Sequence, residues 1–471
     1  MRRQITHSGS GQLRYMIREI VQFARQVQAL GRPMVWENIG DPVRKGEAPP
    51  DWMKSIVSEL AAEDLSFAYS DTQGVPETRE FLAERANNRL HPVQAAAVNS
   101  GSTAGEQGVG PRISADDIVF FNGLGDAVSK IFGQLRPQAR VIGPSPAYST
   151  HSSAEAAHSG YEHLTYRLDP ERGWLPDLEE LERSVRYNPS IAGILIINPD
   201  NPTGAVYPRE VLEGFVDIAR RHDLFIICDE TYAHVVYGNA QETHLNQIIG
   251  DVPGLAMRSI SKELPWPGAR CGWIEVYNRQ SDPDFAGYIE SIIAAKRLEV
   301  CSTTLPQLVI PRVMADERYE THLNVRNERY ERRAAEGHDA LGAVDGLQVN
   351  RPRGGFFITP VFSPGALPGD GSLPIADPAI RELVEKKVEG ASPDARFVYY
   401  LIGARGVCVV PLSGFCSELE GFRMTLLESD DTVRRNALDT IAEAVSQYCG
   451  TSRASDFGDT YSEAAVGPGV L

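Results

Sequence analysis

The feature that most constrains this chain is an alternation of short apolar segments with helical segments through its central half. Six apolar segments rich in β-branched residues end in polar or turn residues: DIVFFNG, RVIGPSP, AGILIINP, DLFIICDE, GLAMRSIS and RCGWIEVYN. Such segments are typical of buried strands. Helical patterns separate several of them, at DAVSKIFGQL, LPDLEELERSVRY and REVLEGFVDIARRHD. Strand, helix and strand in succession form right-handed crossovers, so the sequence predicts an α/β fold with a mostly parallel central sheet flanked by helices.

Both ends of the chain predict a smaller α+β domain. An amphipathic pattern predicts a helix from Leu13 to Leu30, an Arg-rich stretch predicts a long helix from Pro311 to Leu341, and a closing helix is expected from Thr432 to Tyr448. Short strands are expected at GLQVN, GFFITPV, GVCVVPL and GFRMTLL, and loops at residues 99–110 and 362–378. We predict these parts: 1–66 and 326–450 for the small domain, 67–325 for the large domain, and 451–471 as a flexible tail.

Charge and cysteine usage exclude several classes of protein. The formal net charge is −17, which opposes binding to nucleic acid or to an anionic membrane surface. The six cysteines are scattered without a CxxC pair, and no apolar run is long enough to span a membrane. We therefore expect a cytoplasmic protein with reduced thiols and no metal site.

Polar residues collect where the predicted parallel strands end. They are Asn122 to Asp126, Asn198 to Gly204, Asp229 to Tyr232, and Ser261 with Lys262. Each group has a structural explanation by itself, since an aspartate can cap a helix, Asn-Pro-Thr-Gly forms a turn, and a lysine is usually solvated. Ligands of open α/β sheets bind beyond the carboxyl ends of the strands, so four such groups together indicate one binding site.

The chemistry of these residues fits a phosphorylated pyridine aldehyde. A lysine amine can condense with an aldehyde, and an aspartate can keep a pyridine nitrogen protonated so that the ring accepts electrons. Backbone N–H groups at the helix start after Gly123 can bind a phosphate. Arg270, eight positions after Lys262, can add a two-pronged contact.

The segments NPDNPTG, CDETY and SISK followed by GARCGW resemble, in order and spacing, those of the class I/II aminotransferases. The alanine-aminotransferase-like branch is the most similar, and the resemblance extends from about Ile17 to about Cys449. It implies a fold type I enzyme that depends on pyridoxal 5′-phosphate (PLP). Such an enzyme moves an amino group between an amino acid and a 2-oxo acid by ping-pong chemistry, with 2-oxoglutarate or pyruvate as one oxo acid.

The resemblance also implies roles for individual residues. Lys262 would bind the cofactor covalently and move the substrate proton. Asp229 would pair with the pyridine nitrogen, while Asn201 and Tyr232 hold the 3′-oxygen. The phosphate would be bound by Gly123, Leu124, Gly125, Ser259 and Arg270. Tyr148 would stack on the ring, although a purely structural place in the core is the alternative.

Three more residues match family positions outside this set. Tyr69 matches a tyrosine that reaches the cofactor of the neighbouring subunit, which implies a homodimer; the alternative is a buried tyrosine at a strand end. Gly40 matches a glycine beside the substrate, although it could be only a turn residue. Arg423 matches the arginine that binds the substrate α-carboxylate, although an isolated strand arginine is more often at the surface.

The sequence departs from the family at two positions, one in the phosphate site and one that bears on substrate specificity. Leu124 stands where many relatives have Ser or Thr, so one hydroxyl contact to the phosphate is lost. Arg297 lies near the position of the arginine that binds a second carboxylate, but its register does not match, so aspartate specificity is not expected. Two alternatives remain open: another PLP reaction, namely β-elimination, decarboxylation or oxidation, and a non-catalytic binding or regulatory protein with this fold.

Overall fold

The computed structural model describes residues 8–12, 16–90 and 110–456 of the chain. The α-helices are α1 Met16–Ala29, α2 Asp51–Leu60, α3 Pro76–Asn88, α4 Leu124–Gly133, α5 Ser149–Ser159, α6 Leu178–Tyr187, α7 Arg209–Arg221, α8 Ile260–Glu263, α9 Pro283–Arg297, α10 Thr304–Met314, α11 Tyr319–Gly342, α12 Pro378–Lys387, α13 Pro393–Arg405 and α14 Asp431–Asp456. The strands are β1 Val35–Trp36, β2 Ile118–Phe121, β3 Arg140–Ser145, β4 Thr165–Asp169, β5 Leu175–Pro176, β6 Ile191–Ile197, β7 Phe225–Asp229, β8 Gly254–Ser259, β9 Gly272–Tyr277, β10 Leu347–Gln348, β11 Phe357–Ile358, β12 Val361–Phe362, β13 Val407–Cys408, β14 Val410–Pro411 and β15 Phe422–Thr425. None of the helices in the described ranges is both long and apolar enough to cross a membrane.

The main sheet joins eight of the described strands in the order β2-β9-β8-β7-β6-β3-β4-β5. The strands from β8 to β4 pair in parallel. Strand β9 is antiparallel to both β2 and β8, and β5 is antiparallel to β4. Strands β2, β8, β7 and β6 therefore end at one edge of the sheet, and β9 begins at that edge.

Both faces of the sheet are covered, as the apolar strand segments predict. In β2, Ile118 and Phe120 belong to one apolar cluster, while Val119 and Phe121 belong to another. Helices α4 and α9 supply Ile131 and Ile289 to the second cluster. Because successive strand residues point to opposite faces, two separate clusters follow from one continuous apolar segment.

A third apolar cluster joins the two ends of the chain. Ile20, Phe23 and Val27 of α1 pack in it with residues of α13 and α14. The rings of Phe23 and Tyr399 lie 4.9 Å apart in an edge-to-face arrangement. Short sheets pair β1 with β13, β10 with β12, and β15 with β11 and β14. The predicted domain division stays a prediction, and its boundary at residue 325 falls inside α11.

The single helix predicted from Pro311 to Leu341 is wrong. The chain forms α10 and α11 instead, separated by residues 315–318. Pro311 lies inside α10, and the carbonyl of Gln307, four residues earlier, accepts a hydrogen bond from Thr78 Oγ1 at 3.0 Å. Asp316 then accepts the backbone N–H of Arg318 at 2.9 Å, which turns the chain before α11 begins.

Three other predicted segments differ from the structure or lie outside it. The closing helix predicted to end at Tyr448 continues to Asp456. Residues 457–471 of the predicted tail lie outside the described residues, as does the predicted 99–110 loop apart from Gly110. Strands β4 and β5, which extend the main sheet, were not predicted.

Candidate active site

A cavity of about 580 Å³ opens at the edge where the parallel strands end. It is lined by residues that follow the sheet strands and by residues of two segments distant in sequence. We call the first group the sheet end, namely Gly123, Leu124, Gly125, Tyr148, Asn201, Asp229, Tyr232, Ser259 and Arg270, and Lys262 lies between this group and the second. We call the second group the arginine end, namely Asn38, Gly40 and Arg423. All of these except Gly123 line the cavity directly.

Strand pairing brings one part of the sheet end together. Gly272 of β9 pairs with Phe121 on one side and with Ser259 on the other. The turn after β2 and the end of β8 therefore flank the start of β9. Arg270, just before β9, has φ 50°, which turns its side chain back toward that turn.

Gly123 allows the close approach of Arg270. A Cβ atom at Gly123 would lie 2.3 Å from Arg270 Nη2, and the residue has φ 80°. Gly123 also precedes α4, whose first N–H groups have no partner inside the helix. Backbone donors and a guanidinium therefore face one place, which is an arrangement that binds an anion.

Asp229 is buried yet remains charged. It accepts a hydrogen bond from His151 Nε2 at 2.8 Å, and two from Thr231, the backbone N–H at 3.0 Å and Oγ1 at 2.6 Å. Burial raises the pKa of Asp229, but the contacts with His151 and Thr231 outweigh it, so the pKa lies below its ordinary value. A fixed negative charge therefore lines the cavity at the end of β7.

Lys262 has the opposite electrostatic setting. Burial, with smaller contributions from Arg423 and Arg270 and against the attraction of Asp41, lowers its pKa from 10.5 to about 8. Its ammonium donates a hydrogen bond to the backbone carbonyl of Gly40 and lies 5.4 Å from the centre of the Phe356 ring. The side chain thus points across the cavity from the sheet end to the arginine end.

Arg423 is held in one orientation by contacts on every side. It is 3% exposed, so the surface alternative is wrong. Its Nη1 donates to Asn201 Oδ1 at 3.1 Å and its Nη2 donates to the backbone carbonyl of Asn38 at 2.8 Å. The rings of Phe357 and Phe415 lie 4.3 and 4.9 Å from the guanidinium carbon. A planar cation fixed in this way is suited to two-pronged recognition of a carboxylate.

The structure separates the three predicted tyrosines. Tyr232 and Tyr148 line the cavity, and Tyr232 is buried against Phe356 and Phe357. Burial raises the pKa of Tyr232, so it stays a neutral phenol. Tyr69 lies outside the cavity and is 83% exposed, so the alternative of a buried tyrosine is wrong.

Sequence reasoning missed two groups that the structure brings to the site. His151 lies in α5, a helix that was not predicted, and its contact with Asp229 had no signal in the sequence. Asn38 is 2% exposed, lines the cavity, and neither atom of its amide has a hydrogen-bond partner among the described residues. Its position in the ENIGDP segment, two residues before Gly40, was the available signal.

Arg326 holds the backbone around Lys262. This buried arginine donates to the carbonyls of Lys262 at 2.9 Å and Glu263 at 2.7 Å. Glu47 in turn accepts from Arg326 Nε at 2.6 Å. A cation at the carboxyl end of α8 donates to carbonyls that have no partner in the helix, so the backbone at Lys262 is held in place.

Comparison with known proteins adds independent information. The family model described as aminotransferase class I and II matches residues 35–441. An uncharacterized aminotransferase of Methanocaldococcus jannaschii is 49% identical over 96% of this chain and 100% of its own length. Alanine aminotransferase of Mycobacterium tuberculosis is 27% identical over 73% of this chain and 74% of its own. Among solved structures, alanine aminotransferase from Pyrococcus furiosus has the same fold, with a TM-score of 0.77, 24% identity, and coverage of 94% of this chain and 99% of that one.

Proposed function

The chain belongs to the class I and II aminotransferase family, and from this premise we propose that it binds pyridoxal 5′-phosphate at the sheet end and amino or 2-oxo acids at the arginine end. The fold and the aminotransferase activity are those predicted from the sequence. The observation that carries the proposal is the pairing of a charged, buried Asp229 with a lysine of lowered pKa on the same cavity.

The sheet end fits a phosphate. Gly123 leaves room for Arg270, and the first N–H groups of α4 belong to Leu124 and Gly125. Ser259 faces the same cavity, and its hydroxyl lies 2.8 Å from that of Ser261. An anion placed here would meet backbone donors, hydroxyl groups and one guanidinium, which offsets the missing hydroxyl at Leu124.

The other residues of the sheet end fit the pyridine ring. When bound, PLP supplies an electron sink for the charge that develops at the substrate Cα. Asp229 holds the ring nitrogen in its protonated form because His151 and Thr231 keep the carboxylate charged. Asn201 and Tyr232 can hydrogen-bond the 3′-oxygen, and Tyr148 can pack on the ring.

Lys262 is suited to hold the cofactor and to move a proton. With a pKa of about 8, a useful fraction of its amine is neutral near pH 7 to 8, whereas an ordinary lysine is almost fully charged. Arg326 fixes its backbone by donating to the Lys262 carbonyl. The amine can therefore accept the proton from the substrate Cα and return it to the cofactor side.

Arg423 binds the substrate α-carboxylate in this proposal. Its contacts with Asn201 and the Asn38 carbonyl leave its plane fixed. The buried amide of Asn38 has no partner within the described protein, and Asn38 lines the same cavity as Arg423. We propose that Asn38 makes a polar contact with the bound substrate.

The cavity also indicates a substrate class. Arg18 and Arg25 of α1, together with Arg44, line the cavity at its exposed side, while Asp41 is the one carboxylate beside them in the lining. Such an excess of positive charge favours a substrate with a second anionic group. Relatives named alanine aminotransferase support pyruvate as the small oxo acid. We therefore propose 2-oxoglutarate and glutamate as one pair and pyruvate and alanine as the other.

The proposed assembly is a homodimer in which Tyr69 reaches the site of the neighbouring subunit. Its 83% exposure and its position outside its own cavity support this role. A cytoplasmic location stays a prediction.

The proposal is tested by adding single amino acids to the PLP-loaded protein. We expect L-glutamate and L-alanine each to convert the cofactor to its aminated form, with release of one equivalent of 2-oxo acid per chain. Absorbance follows the cofactor and chromatography the acid. Release of ammonia or carbon dioxide instead would establish one of the alternative PLP reactions, and an unchanged cofactor would support a non-catalytic protein.

Substrate class is tested separately with Arg25→Gln and Arg18→Gln. Each is expected to raise the KM for glutamate several-fold and to leave the KM for alanine unchanged, because only glutamate carries a second carboxylate. Alanine thus serves as the internal control. Equal effects on both amino acids would contradict the proposed role of these arginines.

A further inference from the structure

Two histidines and a glutamate form a cluster outside the cavity, in the long connection between β7 and β8. The potential ligand atoms of His234, Glu242 and His244 lie within 4.8 Å of one another. Glu242 Oε1 is 2.7 Å from His234 Nδ1 and 2.6 Å from His244 Nε2. One nitrogen of each ring therefore faces the same carboxylate oxygen.

The other nitrogen of each ring faces a buried carboxylate. His244 Nδ1 lies 3.3 Å from Glu230 Oε2 and 2.8 Å from Nη2 of Arg258, which also pairs with Glu230. His234 Nε2 lies 3.8 Å from Glu263 Oε1, an oxygen that is buried and has no hydrogen-bond partner in the part of the chain that the structure describes. Histidines that bind a metal through one nitrogen commonly donate the other N–H to a carboxylate. His234 has such an acceptor in Glu263, and His244 has one in Glu230 once Arg258 donates to Glu230 alone.

The cluster is open to solvent. A groove of about 560 Å³ is lined by all three residues and by Glu84 and Arg85 of α3. The side chain of Glu242 is 33% exposed, whereas those of His234 and His244 are 13% and 7% exposed. An ion can therefore reach the ring nitrogens of the two largely buried histidines from the groove, on the side covered by the more exposed carboxylate of Glu242.

We propose that His234, Glu242 and His244 bind one divalent transition-metal ion of the zinc class. Two imidazole nitrogens and one carboxylate oxygen suit Zn²⁺, and water can take the fourth position. Tetrahedral ligands at about 2.0–2.1 Å from the ion are about 3.3 Å apart, so the Glu242 oxygen, at 2.7 and 2.6 Å from the two ring nitrogens, must move away from each by about 0.6–0.7 Å. With the ion on His234 Nδ1, the ring proton is on Nε2, where Glu263 can accept it.

The ion has a structural role in this proposal. It joins the two ends of an eleven-residue stretch, 234–244, of the connection that follows β7. Its supporting carboxylates, Glu230 and Glu263, directly follow Asp229 and Lys262 in the chain. Metal binding therefore restricts the backbone at Asp229, where β7 ends, and at Lys262, in the helix α8 that follows β8. The site takes no part in transamination itself.

The test measures binding of Zn²⁺ to the PLP-loaded, chelator-treated protein, by metal analysis and by competition with a chromophoric chelator. Glu242→Gln removes a ligand at an exposed position, and His234→Gln is a second variant. The matched control is Glu182→Gln. The Glu182 carboxylate also faces a histidine, His222 at 3.4 Å, but this is a pair with one histidine and not a cluster with two. Bound Co²⁺ supplies a visible spectrum that reports its coordination.

The wild-type protein and the Glu182→Gln control are expected to bind one Zn²⁺ per chain, at least tenfold more tightly than Glu242→Gln and His234→Gln. Zn²⁺ should raise the midpoint of thermal unfolding of the first two proteins only, and Co²⁺ should give a tetrahedral spectrum in them. Equal affinity in wild type and both ligand variants would overturn the proposal. So would the absence of stoichiometric binding to wild type, and Glu242 would then be only a hydrogen-bond partner of the rings.

Discussion

The sheet end and the arginine end of the cavity are assembled in different ways. Residues of the sheet end follow or precede strands of one sheet, and the pairing of Phe121, Gly272 and Ser259 fixes their positions. The arginine end depends on a contact between Asn38 and Arg423, which are 385 positions apart in the chain. One end is therefore set by strand register, and the other by the packing of two distant segments.

The two ends also treat buried charge differently. Asp229 at the sheet end keeps its charge because His151 and Thr231 donate hydrogen bonds to it. Lys262 lies between the ends and has no such ionic partner within hydrogen-bond distance in the described chain; burial, together with the arginines on both sides, pushes it toward the neutral form. Burial therefore opposes both charges, and only at Asp229 do the groups that face the charge outweigh it.

The largest effect is expected at the sheet end, from Asp229→Asn. The variant keeps the shape of the side chain but removes the charge that holds the pyridine nitrogen protonated. We expect kcat to fall by about 10²–10³-fold, the scale seen when one electrostatic group facing the reacting atoms is lost. Steady-state kinetics measures it, with Asp251→Asn, an exposed partner of Arg220, as the control. A rise in KM without a fall in kcat would instead indicate that Asp229 binds substrate, the role proposed for the arginine end.

A smaller and different effect is expected at the arginine end, from Arg423→Lys. Lysine keeps the charge but cannot make the two-pronged contact, and hydrogen bonds to charged groups contribute about 1.5–3 kcal/mol. We expect KM to rise about 10- to 100-fold for every amino acid, with kcat changed little. Arg332→Lys, on an exposed face of α11, is the control. Unequal effects on alanine and glutamate would move α-carboxylate binding to another residue.

A matched pair of glycines in one turn sharpens the account of the sheet end. Gly123→Ala places a Cβ 2.3 Å from Arg270 Nη2 at a positive φ, whereas a Cβ at Gly125 meets nothing within 4 Å. We expect Gly123→Ala to weaken PLP binding about tenfold, the effect of roughly 1.4 kcal/mol, and Gly125→Ala to bind normally. Fluorescence titration of the cofactor-free protein measures both. Equal affinities would mean that Arg270 does not hold the phosphate.

The smallest effect is expected on the pKa of Lys262, the lysine that lies between the two ends. Its amine loses a proton as pH rises through about 8, so the rate at which the cofactor-free protein reacts with PLP should rise about tenfold between pH 7 and pH 9. Arg423 lowers this pKa, so Arg423→Gln should move the midpoint slightly upward. A stopped-flow pH profile measures both midpoints. A wild-type midpoint near 10.5 would contradict the described environment of Lys262.

The sequence predicts the sheet end better than the rest for a physical reason. Strand segments such as IVFF, ILII and FIIC are buried on both faces, so their apolar pattern reveals them and the polar residues that follow. Arg423 and Gly40 were assigned to the site only through the family resemblance. A local sequence pattern carries no information about a contact between residues 385 positions apart, such as that of Arg423 with Asn38. His151 and the His234 cluster depend on helix and loop packing, which short-range patterns do not encode.

The most direct test of the account is to find which residue holds the cofactor. The PLP-loaded protein is reduced with borohydride, digested, and examined by mass spectrometry for the phosphopyridoxyl group. The account predicts that the label is on Lys262 alone, at one group per chain, and that Lys262→Ala carries none. A label on another lysine, or a protein that binds PLP without becoming labelled, would contradict the assignment of Lys262 as the residue between the two ends.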